Sequence, residues 1–291
     1  MNGVLIIDKP SGLTSHDVVS RVRRILQQRA VGHLGTLDPI ATGILPLVIG
    51  NMTRLAQFYL ASEKSYEGVI RFGVATDTYD SDGEQIGELQ PVSLTLEQAR
   101  EFATNFRGII EQVPPPFSAK KIKGVPAYKL ARKKKEVALK PVTVEVMEFE
   151  IVSIDGPRAQ FRARVASGTY MRSIAHEMGK LAGCGAHLES LRRTAVAEFT
   201  FTDAHTLEDL DRAARGGEVS DLLVHPRKLL PSLPSVTATE EVASRIRHGR
   251  PINLPELSRA KEVKVFYGQH DLIAISTRVA GTLFHPRIVL V

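Results

Sequence analysis

Residues 32–43 read Gly32-His33-Leu34-Gly35-Thr36-Leu37-Asp38-Pro39-Ile40-Ala41-Thr42-Gly43, and they are the most distinctive stretch of the chain. The glycines and the proline predict a structured loop that leads into a buried apolar stretch. Pro39 fixes its own φ and keeps Asp38 extended, so the loop holds this carboxylate rigidly beside apolar residues. Such a carboxylate suits a nucleophile or a general base. The alternative is an ordinary Asp-Pro turn, in which Asp38 accepts backbone hydrogen bonds.

The segments on either side of this loop carry strand and helix patterns. Thr14 with Asp17, and Thr95 with Gln98, occupy capping-box positions before apolar helical stripes. Together with the strand patterns, they predict an α+β fold for this part of the chain. Besides the two capped helices, the predicted elements are strands over Gly3–Ile7, Tyr66–Val74, Val142–Ile154, Arg158–Val165 and Val196–Phe201, and helices over Thr169–Leu181 and Leu207–Ala214.

Three prolines between residues 226 and 234 mark a stiff connector between two parts of the chain. We expect a large domain over residues 1–230 and a small domain over residues 236–291. The small domain is predicted to be mostly β, with a short helix near Glu240–Arg247.

The composition is that of an ordinary globular protein, with 291 residues, a net charge of +6 and 43% hydrophobic residues. The longest apolar runs are far shorter than the ~20 residues of a membrane helix, so no membrane span is expected. No basic start leads into a long apolar run, so no signal peptide is expected. Because the single cysteine, Cys184, has no partner for an internal disulfide, we expect a reduced, cytoplasmic setting.

The positive charge is concentrated in one segment, residues 117–142. This segment has nine basic residues and one acidic residue, for a net charge of +8, which leaves −2 for the rest of the chain. Such a local patch is typical of polyanion binding, and the alternative is a solvated helix face. The basic residues are Lys120, Lys121, Lys123, Lys129, Arg132, Lys133, Lys134, Lys135 and Lys140.

Two further motifs have both a functional and a structural interpretation. Arg172, in the motif Ser167–Arg172, falls in the first turn of a predicted helix, where the helix dipole disfavours a cation. A nearby anion is therefore expected, and the guanidinium suits a carboxylate or a phosphate, although a surface arginine is the alternative. Tyr66, in Lys64-Ser65-Tyr66, is either a core residue or a platform for stacking a nucleobase.

Common catalytic signatures are missing from the sequence. It contains no phosphate-binding G-x-x-x-x-G-K-[ST], no dinucleotide-binding G-x-G-x-x-G and no G-x-S-x-G elbow. The nine histidines show no metal-ligand spacing, so no metal site is expected. The pair His176-Glu177 on a predicted helix is interpreted as a surface feature.

The motifs in order resemble the TruB family, the bacterial tRNA pseudouridine-55 synthases. The resemblance runs along nearly the whole chain. It rests on Asp8-Lys9-Pro10, Thr14–Asp17, Gly32–Gly43, Lys64–Tyr66, Phe72–Asp80, Pro115–Lys120, Ser167–Arg172, Leu191–Thr194 and Gly281–Arg287.

The resemblance implies a pseudouridine-synthase core with a mixed, mostly antiparallel sheet flanked by helices, followed by a small RNA-binding domain of the PUA type. It implies that Asp38 is the catalytic aspartate and Tyr66 the tyrosine that stacks on the target base. It further implies that Arg172 pairs with the aspartate, and that residues 117–142 are a basic insertion, the thumb, that grips RNA. The remaining implied substrate-binding residues are Leu191 and Tyr170 in the pocket and His33, which helps to evert the nucleotide, and the implied thumb contacts are Lys120, Lys121, Lys129, Arg132, Lys133, Lys134 and Lys135.

The implied reaction is the isomerisation of uridine-55 in the T-arm of tRNA. It needs no cofactor, and a monomer that requires no protein partner is expected. Two rival functions stay open, a guide-RNA-directed relative that works on ribosomal RNA and a non-catalytic tRNA-binding or tRNA-folding protein. The complete basic thumb favours a stand-alone enzyme over the first, and intact Asp38, Tyr66 and Arg172 argue against the second.

Overall fold

Two separate sheets dominate the fold. In the computed structural model, which describes residues 1–118, 120–122, 125–127 and 139–291, nine strands form one sheet and five form another. In chain order the strands are β1 (Gly3–Lys9), β2 (Val31–His33), β3 (Thr42–Ile49), β4 (Lys64–Phe72), β5 (Ala75–Thr76), β6 (Gln85–Ile86), β7 (Gly108–Gln112), β8 (Lys121–Ile122), β9 (Val125–Pro126), β10 (Val142–Asp155), β11 (Arg158–Val165), β12 (Ala186–Val196), β13 (Ala204–His205), β14 (Ser235–Ala238), β15 (Ile252–Asn253), β16 (Glu262–Tyr267), β17 (Asp271–Ala280) and β18 (Leu283–Val289).

The large sheet has the strand order β13-β1-β3-β12-β4-β11-β10-β7, and β2 also pairs with β3. Its ladders are antiparallel except for β1 with β13 and β3 with β12, which are parallel. Two small ladders, β5 with β6 and β8 with β9, lie outside it. The predicted mixed, mostly antiparallel α+β fold is confirmed. The site described below is built on the central neighbours β12 and β4.

The burial of the strands explains their sequence patterns. In β1 the residues Val4–Ile7 have no exposed surface, so both faces are covered and the strand is continuously apolar. In β11 the exposed and buried residues alternate instead, because one face packs on the core and the other meets solvent. The charged residues of that outer face form cross-strand ion pairs, such as Arg162 with Glu67.

Several helices pack on the core of the large sheet and begin at identifiable caps. Thr14, Thr95 and Thr206 each accept a hydrogen bond from the backbone three residues later, as a capping box requires. The apolar stripe of the first helix, which includes Val18 and Val22, is fully buried in the main core. The α-helices of the described residues are α1 (Ser15–Ile25), α2 (Ala56–Tyr59), α3 (Leu96–Thr104), α4 (Met171–Leu181), α5 (Leu207–Gly216) and α6 (Glu240–Arg247), and short 3-10 turns lie at Gly50–Leu55, Phe201–Asp203, Val219–Leu222, Pro226–Lys228 and Pro255–Leu257.

The small sheet has the order β14-β16-β17-β18-β15 and packs against α6 around its own apolar cluster. It touches the large-sheet part through a second cluster that both parts share, in which Phe266 and Tyr59 are buried. Polar contacts add to this packing: Nζ of Lys264 donates to the carbonyl of Leu229 at 2.7 Å, and Nδ2 of Asn51 donates to the carbonyl of Leu290 at 3.0 Å.

Two expectations about the second half of the large sheet differ from the structure. The strand predicted over Val196–Phe201 is wrong, because β12 ends at Val196 and the chain turns at Ala197, whose φ is +50°. The strand instead spans Ala186–Val196, where charged residues interrupt the alternation that would have indicated it. The helix predicted over Thr169–Leu181 begins at Met171, with Tyr170 as its N-cap.

Among the described residues, none of the helices combines the length and the apolar character that crossing a membrane requires.

Candidate active site

A cavity of about 310 Å³ opens beside the loop that joins β2 to β3, next to β4, β12 and the start of α4. It brings together six side chains that are far apart in the sequence and that the sequence analysis selected. They are His33, Asp38, Tyr66, Tyr170, Arg172 and Leu191.

The loop that carries Asp38 is fixed from both sides. The peptide N–H of Gly12 and Nζ of Lys9 donate to the carbonyl of Pro39 at 2.9 and 3.3 Å. Oγ of Ser15 accepts from the N–H of Leu37 at 2.8 Å, so the start of α1 anchors the other side. The Asp38 side chain is 34% exposed and faces the cavity. The loop therefore presents this carboxylate on a rigid support, as the proline pattern predicts.

Arg172 lies directly behind Asp38 and has only 5% of its surface exposed. Its Nη2 donates to Oδ1 of Asp38 at 3.1 Å, and its Nε lies 2.9 Å from Oδ2, although that N–H does not point at the oxygen. The same guanidinium donates to the carbonyls of Thr78 and Phe117, each at 3.1 Å. The arginine is thus locked between the Asp38 loop and two other segments.

A second carboxylate, Asp80, reaches the other side of this guanidinium. Its Oδ2 lies 3.3 Å from Nη1 of Arg172, its residue is 4% exposed, and its Oδ1 accepts from the hydroxyl of Thr78 at 2.6 Å. The sequence analysis included Asp80 in the motif Phe72–Asp80 but did not select it as a site residue. The signal that indicated it was indirect: a cation in the first turn of a helix requires a nearby anion, and Asp80 and Asp38 are both such anions.

The turn that carries Asp80 has a strained backbone. Tyr79 has a φ of +66°, a region that residues with a Cβ rarely adopt. Its ring stacks on His176 of α4, with 3.8 Å between centroids and 9° between planes. His176 is half-buried, because the tyrosine covers it, whereas Glu177 beside it is exposed.

The charges around Asp38 act on its pKa in opposite directions. Its poor hydration in the cavity raises the pKa above the ordinary value, and the like charge of Asp80 adds to this rise. Arg172 opposes both effects, and the ammonium of Lys9 contributes in the same sense. Burial in turn lowers the pKa of Lys9 to about 8. The site holds a carboxylate that takes up a proton more readily than a surface aspartate does.

Tyr66 and Leu191 form an apolar wall of the cavity. Tyr66 lies on β4 and is 9% exposed, and Leu191 lies on the neighbouring β12 and is 8% exposed. In the ladder between these strands Tyr66 is opposite Arg193, two residues from Leu191, so all three side chains emerge on the same face. A flat base that entered the cavity would meet the ring and the aliphatic wall together.

Tyr170 and His33 lie on opposite sides of the cavity. The backbone of Tyr170 is held by the amide of Gln112, which accepts from its N–H at 2.8 Å and donates to its carbonyl at 3.0 Å. Burial raises the pKa of the Tyr170 hydroxyl. His33 ends β2, and burial, assisted by the charge of Arg193, lowers its pKa, so the imidazole is neutral near pH 7.

Two buried cations at the same cavity were not selected from the sequence. Arg193 is 1% exposed and Lys64 is 7% exposed. The guanidinium of Arg193 donates to the carbonyls of Gly35 and Thr36, at 3.0 and 3.2 Å, and thereby braces the loop before Asp38. Nothing in the local pattern of β12 indicated that one of its two consecutive arginines points inward.

Few of the predicted RNA-gripping residues belong to the described part of the chain. Lys120 is exposed, and Lys121 begins the short strand β8. Lys129, Arg132, Lys133, Lys134 and Lys135 lie outside the described residues. Among the residues that are described, no three histidine, cysteine, aspartate or glutamate side chains are grouped so that they could hold a metal ion.

The sequence matches two family models that together cover residues 23–226. The first, described as the N-terminal domain of TruB family pseudouridylate synthases, matches residues 23–171. The second, described as the C-terminal domain of tRNA pseudouridylate synthase B, matches residues 172–226, a segment that contains all of α4 except Met171 and also the strand β12. The two matches meet at Arg172, so the site is assembled from both.

Curated relatives and solved structures agree with these matches. A protein of Solibacter usitatus named tRNA pseudouridine synthase B is 50% identical over all of both chains, and one of the same name from Aquifex aeolicus is 39% identical over all of both chains. A chain in the crystal structure of a Cbf5-Nop10-Gar1 complex superposes with a TM-score of 0.72 at 25% identity, and covers 99% of this chain and 85% of its own. Because a family model matches half of the chain and full-length relatives exceed 30% identity, this protein belongs to the TruB family of pseudouridylate synthases.

Proposed function

We propose that this protein isomerises uridine-55 in the T-arm of tRNA to pseudouridine. The single observation that carries the proposal is the Asp38 carboxylate, held by Arg172 in a cavity whose wall is the Tyr66 ring. A full-length relative at 50% identity bears the name tRNA pseudouridine synthase B, which supports tRNA as the substrate.

The reaction needs little besides a well-placed carboxylate and a closed pocket. The N1–C1′ bond of the uridine breaks, the uracil turns, and C5 bonds to C1′ while its proton moves to N1. No electron is gained or lost, so the isomerisation balances without a redox cofactor. Attack of Asp38 on C1′, its addition to the base and its removal of a sugar proton all require the ionised carboxylate.

In this proposal Arg172 keeps Asp38 ionised and oriented, and Asp80 keeps Arg172 in place. The guanidinium offers one hydrogen bond and one close ionic contact to the catalytic carboxylate, and it is itself held by Asp80. Opposite charge favours the ionised form against the desolvation of the cavity. Asp80 is thus a positioning residue, because it acts on the reaction through Arg172.

The other cavity residues bind the everted nucleotide. Stacking on Tyr66 offsets part of the few kcal/mol that unstacking a base from RNA costs. Leu191 and Tyr170 narrow the pocket and exclude water, which keeps the detached uracil from being lost to hydrolysis. His33, at the end of β2, takes the place of the uridine in the RNA stack.

The binding of the rest of the tRNA is assigned to two other regions. The basic residues of segment 117–142 grip the phosphate backbone, and residues 236–291 form an RNA-binding domain of the PUA type beside a catalytic domain of residues 1–230. The enzyme acts as a monomer, without a protein partner, in the cytoplasm.

The test is to incubate the purified protein alone with an unmodified tRNA transcript and to determine which nucleotide positions become pseudouridine. We expect one pseudouridine per tRNA, at position 55, and the same product in a hairpin that contains only the stem and loop of the T-arm. Modification that appears only after a guide RNA or a second protein is added would instead support the guide-directed alternative. Binding without any product would support a non-catalytic RNA-binding protein.

A further inference from the structure

Two cations of the cavity have no carboxylate partner among the described residues. Arg172 is matched by Asp38 and Asp80, whereas neither Lys64 nor Arg193 lies within ion-pair distance of a described aspartate or glutamate. Both are more than nine-tenths buried. Burying a charge without an opposite charge destabilises a fold, so the side chains of Lys64 and Arg193 lower the stability of the free protein.

The two cations differ in what their N–H groups do. The guanidinium of Arg193 donates hydrogen bonds to the backbone carbonyls of Gly35, Thr36 and Ile44. Lys64 donates to the carbonyl of Ser62, the one acceptor it has in the described part of the chain. An ammonium has three N–H donors, so Lys64 retains donors for a ligand.

The position of Lys64 relative to Tyr66 defines what that ligand is. They are two residues apart on β4 and face the same side, which separates their backbones by about 7 Å. Arg193 lies opposite Tyr66 on β12. The stacking ring and the free ammonium are therefore neighbours along one wall of the cavity.

The backbone of Gly35 lies beside the side chains of Lys64 and Arg193. A Cβ at this position would lie 3.6 Å from Cε of Lys64 and 3.5 Å from Nη1 of Arg193, and its φ of +128° strains any residue with a side chain. Glycine therefore lets the loop backbone come close to both cations without a side chain between them.

We propose that Lys64 binds a phosphodiester group next to the everted uridine while the base stacks on Tyr66. This inference rests on the proposed function, because it takes RNA as the ligand. The base of a bound uridine offers carbonyl acceptors but no negative charge, whereas the phosphodiester is the anion that every nucleotide carries. Burial and the nearby Arg193 lower the pKa of Lys64 to about 8, and a bound phosphate would restore the preference for the charged form.

The first test separates a ligand-binding lysine from a structural one. Lys64→Met keeps the length of the side chain and removes the charge. We expect an unchanged or higher melting temperature without RNA, together with about tenfold weaker binding of a T-arm hairpin. Lys180→Met, which alters an exposed lysine paired with Glu177, is the matched control and should change neither quantity. Unchanged hairpin affinity of the Lys64→Met protein would overturn the proposal.

The second test identifies the phosphate. Hairpins with a neutral methylphosphonate at the phosphate on the 5′ or the 3′ side of the target uridine are bound to the Asp38→Asn protein and to the Asp38→Asn, Lys64→Met protein, so that turnover does not interfere. At one of the two positions, the methylphosphonate should weaken binding to the first protein about tenfold and leave the second unchanged. Equal losses for both proteins at both positions would overturn the proposal. Wild-type turnover of the unmodified hairpin is measured in parallel, and its absence would contradict the proposed function instead.

Discussion

Arg172 and Asp38 are 134 positions apart in the chain, yet Nη2 of the arginine donates a 3.1 Å hydrogen bond to Oδ1 of the aspartate. The arginine also interacts with a second carboxylate, because its Nη1 lies 3.3 Å from Oδ2 of Asp80. One guanidinium therefore serves two carboxylates in a poorly hydrated place. The balance among these three charges determines how readily Asp38 takes up a proton.

Replacing Asp38 with asparagine should abolish pseudouridine formation. The amide keeps the shape of the side chain but is neither a nucleophile nor a base, so we expect a loss of about 10⁴-fold or more in single-turnover rate. The melting temperature and the Kd for a T-arm hairpin should stay close to those of the wild type. Turnover above roughly one hundredth of the wild-type rate would show that another group carries the chemistry.

The acid limb of the pH–rate profile should move in opposite directions in two variants. Activity requires ionised Asp38 and therefore falls as the pH drops through its pKa. Arg172→Met removes the charge that holds this pKa down, so the acid limb should move to higher pH. Asp80→Asn removes a like charge that raises it, so the limb should move to lower pH.

The measurement is kcat/KM on a hairpin substrate between about pH 4 and pH 8, which reports the free enzyme. Both variants should also be slower at their optimum, because each loosens the hold on Asp38. Arg172→Lys, which keeps a charge but loses the planar fork, should fall between the wild type and Arg172→Met. Normal single-turnover rates at saturating Arg172→Met protein would indicate instead that the arginine only grips RNA.

The elements with strong local signals were predictable from the sequence. The capping boxes at Thr14 and Thr95 start helices where expected, and the hairpin of β10 and β11 follows the predicted alternation around its turn. Each of these depends on residues within a few positions of one another. The Asp38 loop was selected because proline and glycine restrict its backbone locally, whatever it later contacts.

What escaped prediction depends on contacts between distant segments. Asp80 is a polar residue in a turn, and only the arrival of Arg172 from α4 makes it part of the site. Arg193 follows Arg192 in the sequence, yet one is 1% exposed and the other pairs with Asp8 near the surface. Adjacent residues of a strand point to opposite faces of the sheet, and the local sequence does not indicate which face of β12 is covered.

The basic run Lys133-Lys134-Lys135 should supply affinity and not chemistry. If these lysines touch phosphates, their joint replacement by alanine should reduce the slope of log K against log salt by roughly 0.7–0.9 for each lost contact. The single-turnover rate at saturating enzyme should stay near the wild-type value. Lys180→Ala is a control for the loss of a charge elsewhere. An unchanged salt slope in the triple variant would identify the run as a solvated face.

Tyr66 is 9% exposed, so its ring has both a packing role and a surface toward the cavity, and the two roles predict different outcomes. If the ring stacks on the uridine, Tyr66→Leu loses about 1–3 kcal/mol of base stacking, and the single-turnover rate should fall by roughly ten- to a hundredfold or more. Binding of the hairpin should change far less, because most of the contacts to the RNA lie outside the cavity. Tyr66→Phe is the matched control: it keeps the stacking surface and the packing volume, and it should retain the platform while losing only the hydroxyl. The melting temperatures of the wild type, Tyr66→Leu and Tyr66→Phe separate the two roles. If the tyrosine is purely structural, the leucine variant should melt at a lower temperature and lose both binding and turnover. A leucine variant that melts like the wild type, binds the hairpin and fails to turn it over is the result expected from a stacking platform.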